Sequence, residues 1–221
     1  MRRKQQQVDL PGLTLPTRPT FDLERSWQGP VAGVDEAGRG AWAGPVVAAA
    51  VILKPEAIPS GINDSKKLSR DAREKLYDLI IASAAAVGIG EATVEEIDGA
   101  NILAATFIAM ARAVAALAVK PCHVLVDGNQ PPPLDAPLTC VVKGDGRSLS
   151  IAAASIIAKV HRDRVMAQFD QFAPGYGWAK NAGYGTADHQ RALDMVGVTP
   201  FHRKSFAPIH KLMTQESEAT Y

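Results

Sequence analysis

Cysteine is scarce in this 221-residue chain, two in all, and neither CxxC nor paired-histidine spacing accompanies them. That excludes a disulfide framework or a zinc site as the organising device. Cys122 and Cys140 lie inside apolar runs and are expected as buried core thiols. Net charge is nearly absent too, at +1, so only local clusters of Lys and Arg can give the chain an affinity for nucleic acid. No apolar run reaches the roughly 18 uninterrupted residues of a membrane span, and the charged first residues have no apolar stretch behind them. The expectation is a cytoplasmic protein without membrane association. There is no internal repeat, no low-complexity block and no Walker-type lysine loop, which removes the usual nucleotide cradle. Histidines paired for attack by a 2′-hydroxyl are missing as well.

What is present is organised around Val31-Ala32-Gly33-Val34-Asp35-Glu36-Ala37-Gly38-Arg39-Gly40. The apolar start is too short and too β-prone for a helix, and Gly38 to Gly40 is turn chemistry, so Asp35 and Glu36 belong at or near the end of a buried strand. Neighbouring strand residues point to opposite faces, so both acids reach one ion only if the strand bends or ends there. Buried carboxylates without a cation nearby in sequence repel each other, and a divalent metal resolves that repulsion. Gly38 to Ala43 also mimics a dinucleotide-binding GxGxxA. That motif must open a helix, whereas Pro45 and a strand-like run follow here.

The chain is 47% hydrophobic, enough for one main domain with a substantial core. Residues 1–30 are polar and lack a sustained period, so they are expected to form a flexible arm; Arg2, Arg3 and Lys4 belong to it. Strands are expected over 31–34, 45–53, 86–92, 122–126 and 138–142. Helices are expected after a Ser69 cap, after a Thr93/Glu96 capping box, over 101–119, over 150–172, and from Thr186 to Gly197. Three of the strands run into acids: Asp35 with Glu36, Asp127, and Asp145. Functional crevices of open α/β sheets lie at strand ends, so the acids are expected to converge on one site. Basic residues cluster at Lys66, Lys67 and Arg70, at Lys143 and Arg147, at Lys159, Arg162 and Arg164, and at Arg203 and Lys204. His161 reads as a solvated helix residue, and His202 to Ser205 as a polar cluster facing the groove.

VDEAGRG, LVDGN, KGD, GYGT and FHRKSF, in that order from about Val31 to Leu212, resemble ribonuclease HII, the type 2 ribonuclease H family. The resemblance implies a ribonuclease H-like α/β fold: a five-stranded mixed sheet flanked by helices with a small helical C-terminal portion. It implies a catalytic domain over 31–213 and leaves 214–221 as a tail. It further implies that Asp35, Glu36, Asp127 and Asp145 bind Mg²⁺ or Mn²⁺. Hydrolysis of a phosphodiester suits two hard cations about 3.5 to 4 Å apart held by oxygen ligands. By the same resemblance Gly38, Arg39, Gly40 and Tyr184 read a ribose 2′-hydroxyl, and Ser65, Lys66 and Lys67 touch the substrate backbone. The implied substrates are RNA–DNA hybrids and duplex DNA with embedded ribonucleotides, the implied state a monomer. One position departs from the family pattern: Ala182 stands where members often carry Lys, with Lys180 nearby. The rivals are a metal-dependent phosphatase of small molecules and a catalytically silent nucleic-acid binding module of the same fold. The latter would have lost an acid, and all four are present.

Overall fold

A computed structural model of the chain describes residues 18–218. Its centre is a strand pair, β1 (Val31–Ala37) and β2 (Val46–Ile52), rich in β-branched and small residues and buried on both faces. β2 continues antiparallel into β3 (Ala86–Ala92), while β4 (His123–Asp127) pairs parallel with β1 and β5 (Leu138–Val141) parallel with β4. The order β3-β2-β1-β4-β5 is the expected five-stranded mixed sheet.

Period-2 alternation sorts β2 between two cores. Val46, Ala48, Ala50 and Ile52 face one cluster, and Ala49, Val51 and Leu53 the other. The helices in chain order are α1 (Asp22–Arg25), α2 (Arg70–Ser83), α3 (Val94–Gly99), α4 (Ile102–Ala115), α5 (Leu149–Phe172), α6 (Trp178–Asn181), α7 (Ala187–Val196) and α8 (Ala207–Glu218). The first core is closed by α4 through Ala105, Ala109, Met110 and Ala113. The second is closed by α5, with Leu76 and Ile80 of α2 beside it. Helix α5 lies so close to β1 that a Cβ at Gly33 would come 2.1 Å from the Ser150 carbonyl carbon. Gly33 therefore sets the distance between the helix and the strand that carries the acids.

Caps fall where side-chain chemistry places them. Ser69, Asn101, Ser148 and Thr186 each accept a first-turn N–H, and Thr93 with Glu96 forms the reciprocal box. Helix α4 stops at Ala115, short of the expected 119, before the chain turns into β4. Helices α6 to α8 pack a third apolar cluster around Trp178, Tyr176, Leu193 and Ile209, forming the helical C-terminal portion.

Several expectations need correction. Residues 1–17 of the expected arm lie outside the described part, but 18–30 are folded onto the domain. Glu24 is buried, its carboxylate accepting from the Ser148 hydroxyl at 2.6 Å and the Ser150 N–H at 2.8 Å, and Trp27 stacks on His123 with centroids 3.5 Å apart. The expected tail from 214 begins inside α8, which runs on to Glu218. Cys122 is exposed and Cys140 only half-buried, because each sits at an end or edge of the sheet where covering elements run out. His161 is not free on its helix; its Nε2 lies 2.6 Å from Oε1 of Glu91 on β3.

Candidate functional site

Strand β1 outlasts its parallel neighbour. Pairing with β4 ends at Val34↔Val126, whereas pairing with β2 continues through Asp35↔Ala49, Glu36↔Ala48 and Ala37↔Val47. Asp35 and Glu36 thus occupy a stretch of strand supported on one side only, and Asp127 ends β4 next to it. Asp145 follows β5 in a short 3₁₀ turn, Gly144–Gly146. One cleft, about 230 Å³, is lined by Asp35, Glu36, Gly38, Arg39, Gly40, Ser65, Lys66, Asp127, Ser155, Lys159 and Tyr184. That volume is below the ~300 Å³ at which ordinary small-ligand pockets begin. It suits part of a polymer laid across the opening. Asp145 is buried at the edge of this site, its Oδ2 3.4 Å from Nζ of Lys66.

Each acid has a fixed partner. Asp35 Oδ1 accepts from the Glu36 N–H at 2.7 Å and Asp127 Oδ1 from the Gly144 N–H at 2.6 Å. Glu36 Oε1 accepts from Arg39 Nη1 at 3.2 Å. Burial pushes the Asp35 carboxyl well above the usual range, and the charges of Glu36, Asp127 and Asp145 push it further. Glu36 and Asp127 are also raised, first by burial; repulsion adds to both, from Asp127 on Glu36 and from Asp145 on Asp127. Lys66 is raised because Asp145, Asp35 and Asp64 outweigh its desolvation. The acids therefore share one field. Among the described residues no three Asp, Glu, His or Cys side chains close on one point as a ligand shell. The donor set is nonetheless all oxygen and carries an excess of negative charge, which fits hard divalent cations.

The loop after β1 folds over this cluster. Gly38 has φ +94, and a Cβ there would lie 1.9 Å from Nε of Arg162. Tyr184, 38% exposed, stands opposite, its ring 5.9 Å from Lys159 Nζ and 5.6 Å from the Arg162 guanidinium carbon. Ser65 is buried, accepting from the Ser155 hydroxyl at 2.7 Å.

The sequence pattern described as ribonuclease HII matches residues 32–209. The chain belongs to the ribonuclease HII family. A ribonuclease HII from Jannaschia sp. (strain CCS1) is 57% identical over 196 residues, which is 88% of this chain and 98% of that protein. The crystal structure of the ribonuclease H2 from Pyrococcus horikoshii OT3 superposes with a TM-score of 0.71 at 27% identity, over 86% of this chain and 99% of that one. A Bst ribonuclease HIII in complex with Mn²⁺ shares the fold, with a TM-score of 0.68 at 20% identity over 86% of this chain and 70% of that one. The family makes the protein a ribonuclease H hydrolase, which sets aside the small-molecule phosphatase.

Ten of the eleven sequence-named site residues fall in or at the edge of this one cleft; Lys67 is exposed and not among the lining residues. Sequence reasoning misplaced three others. Arg162, His202 and Arg203, expected on the surface, are fully buried. Arg162 donates to the carbonyls of Pro45, Ala182 and Ala43 at 2.9, 2.9 and 3.1 Å. Arg203 donates to those of Gly44, Arg39 and Pro45 at 2.9, 3.0 and 3.1 Å. Burial and the charge of Arg162 push the Arg203 guanidinium down to about 9, still charged at neutral pH. His202 joins a buried chain whose tautomers follow from its obligate donors. Trp178 Nε1–H donates to His189 Nε2 at 3.2 Å and the Thr199 N–H to His202 Nδ1 at 3.0 Å. His202 Nε2–H must then donate to His189 Nε2, 3.0 Å away, and His189 Nδ1–H to the Tyr184 carbonyl, also at 3.0 Å.

Ser155 and Lys159 in the cleft had not been singled out for it. Their signal was available, since they sit one turn apart on α5, the helix Gly33 admits against β1. Lys159 stands beside Tyr184, while Lys180 is exposed and not among the cleft-lining residues.

Proposed function

We propose that the protein is an endoribonuclease that hydrolyses RNA in RNA–DNA hybrids and cuts on the 5′ side of ribonucleotides embedded in duplex DNA, acting as a cytoplasmic monomer in ribonucleotide removal during DNA replication and repair. The supporting observation is the gathering of Asp35, Glu36, Asp127 and Asp145 beside the Gly38–Gly40 loop and Tyr184 at one cleft. Hydrolysis adds water across the P–O3′ bond, leaving a 3′-hydroxyl and a 5′-phosphate. The four carboxylates hold two divalent ions, Mg²⁺ or Mn²⁺. When bound, such ions supply an activated water and neutralise charge on the phosphoryl oxygens and the leaving alkoxide.

The chain's own groups supply selection and orientation. Main-chain groups of Gly38, Arg39 and Gly40 approach the sugar closely, because Gly40 carries no Cβ on the Tyr184 side and the missing Cβ of Gly38 lets the loop seat down on Arg162. With Tyr184 they meet the 2′-hydroxyl, the group that separates RNA from DNA. Lys66 and Lys159 present ammonium groups to flanking phosphates, with Ser65 holding the turn that carries Lys66. The Arg39 side chain, tied to Glu36, restrains that carboxylate.

A labelled duplex with one internal ribonucleotide, incubated with Mg²⁺, Mn²⁺ or chelator, tests the reading. Cutting at the ribonucleotide with either ion and none in chelator is expected. Equal cutting of an all-DNA duplex, or cutting that persists in chelator, refutes it.

A further inference from the structure

Two guanidiniums lie side by side beneath the cleft, and neither makes a salt bridge with a carboxylate among the described residues. All six of their hydrogen bonds end on main-chain carbonyls: Arg39, Ala43, Gly44 and Pro45 in the loop after β1, and Ala182 two residues before Tyr184. A buried charge without a counter-ion is costly, and an apolar side chain of similar volume would fill the space without that cost. What arginine adds is direction, a planar fork whose donors fix several acceptors at once.

Both halves of the sugar-reading site rest on this pair. Gly38 is seated against the Arg162 side chain, and Arg203 grips the carbonyl of Arg39 at the loop's apex. The Tyr184 ring lies over the Arg162 guanidinium, and the nearest atom to a Cβ built at Gly40 is Tyr184 Cε1, at 3.9 Å. The segment bearing Arg203 is itself laced to the loop, with the Arg203 N–H donating to the Trp42 carbonyl at 2.8 Å and the Gly44 N–H to that of Phe201 at 2.9 Å.

We propose that Arg203, acting with Arg162, is a positioning residue that holds the Gly38–Gly40 loop and Tyr184 in the single pose that recognises a ribonucleotide, and so sets selectivity without touching substrate. The claim rests on the ribonuclease reading above. A displacement of about 1 Å in positioned groups costs on the order of 100-fold in rate, whereas binding to phosphates depends on charges elsewhere in the cleft.

The test compares the unsubstituted chain with Arg203→Lys and Arg203→Met. Cleavage of the single-ribonucleotide duplex with Mn²⁺ is measured alongside affinity, in chelator, for that duplex and for an all-DNA duplex of the same sequence. Lys keeps the charge but not the fork, so kcat should fall roughly tenfold or more, and Met should fall further, toward ~100-fold. The preference for the ribonucleotide duplex in binding should shrink toward one while all-DNA affinity stays within about twofold. Undiminished kcat and preference in both variants, parallel loss of both affinities, or an Arg203→Lys chain that does not fold overturns the proposal. If the unsubstituted chain does not cut the ribonucleotide duplex, the ribonuclease reading fails; if it cuts and both variants cut equally well, only the positioning role fails.

Discussion

Acidification should unfasten the helical C-terminal portion through His202. In the folded chain burial, then the neighbouring His189, lowers this imidazole from the ordinary 6.5 to about 4. The unfolded chain therefore binds the proton first, and stability falls as pH falls between these values. The contribution is fully present above 6.5 and is lost by about 4. The loss amounts to about 2 kcal/mol by about pH 5 and about 3 kcal/mol by about pH 4. That is a large share of the ~5–15 kcal/mol that holds a typical domain together. Burial is the main reason the proton is refused, since a charged ring would lose its water in the packed interior, and the neighbouring His189 adds to it. The acid cluster responds in the opposite sense, since Asp35, Glu36 and Asp127 are raised and relax when protonated. The assay must therefore be a difference: urea unfolding across this pH range for the unsubstituted chain and for His202→Asn, which cannot titrate there. The two stability curves should converge toward low pH. Parallel curves, or an NMR titration of folded His202 with a midpoint near 6.5, would refute the reasoning.

Two further outcomes follow from charge. In chelator, Asp35→Asn should raise the melting temperature at neutral pH, because a carboxylate destabilised by burial and by three acidic neighbours is removed. This gain should fade as pH falls through Asp35's raised folded value, and the variant should not cleave; a lower melting temperature in chelator would contradict the shared field. Affinity for duplex should fall as salt rises, with a log–log slope of about one unit per phosphate contact, and Lys159→Ala should make that slope shallower by about one. A slope unchanged by the substitution would remove Lys159 from the interface.

The strands and caps were legible because their causes are local. Apolar runs of strand length, Ser69 ahead of a helical period, and the Thr93/Glu96 pair each act within a few residues; the caps at Asn101 and Ser148 emerge only with the structure. Order in the sheet was legible only as a class, since pairing of β1 with β4 joins residues some ninety positions apart. The acids could be named in advance through the resemblance of VDEAGRG, LVDGN and KGD to ribonuclease HII; the strand-then-acid pattern alone left Asp127 and Asp145 open to turn and cap roles, and Asp145 stands four residues past the end of β5.

Charge type, by contrast, carried no information about burial. Arg162 and Arg203 read as surface cations because arginine is seldom buried, and nothing near them in sequence announces the five carbonyls that receive them. Those carbonyls come from β1's following loop and from the Tyr184 loop, brought over α5 only when the C-terminal helices close. The same closure buries His189 and His202 and lowers both imidazoles, His202 to about 4. Glu24 was hidden for the same reason: its acceptors' partners, Ser148 and Ser150, lie more than a hundred residues away. The sequence by itself determined the elements, which depend on backbone propensity and on neighbours along the chain, and its motifs named the acids and the glycines beside them through their resemblance to a known family. Only the tertiary structure decided which cations are walls of the groove and which are its foundations, because burial is a property of what packs above a residue.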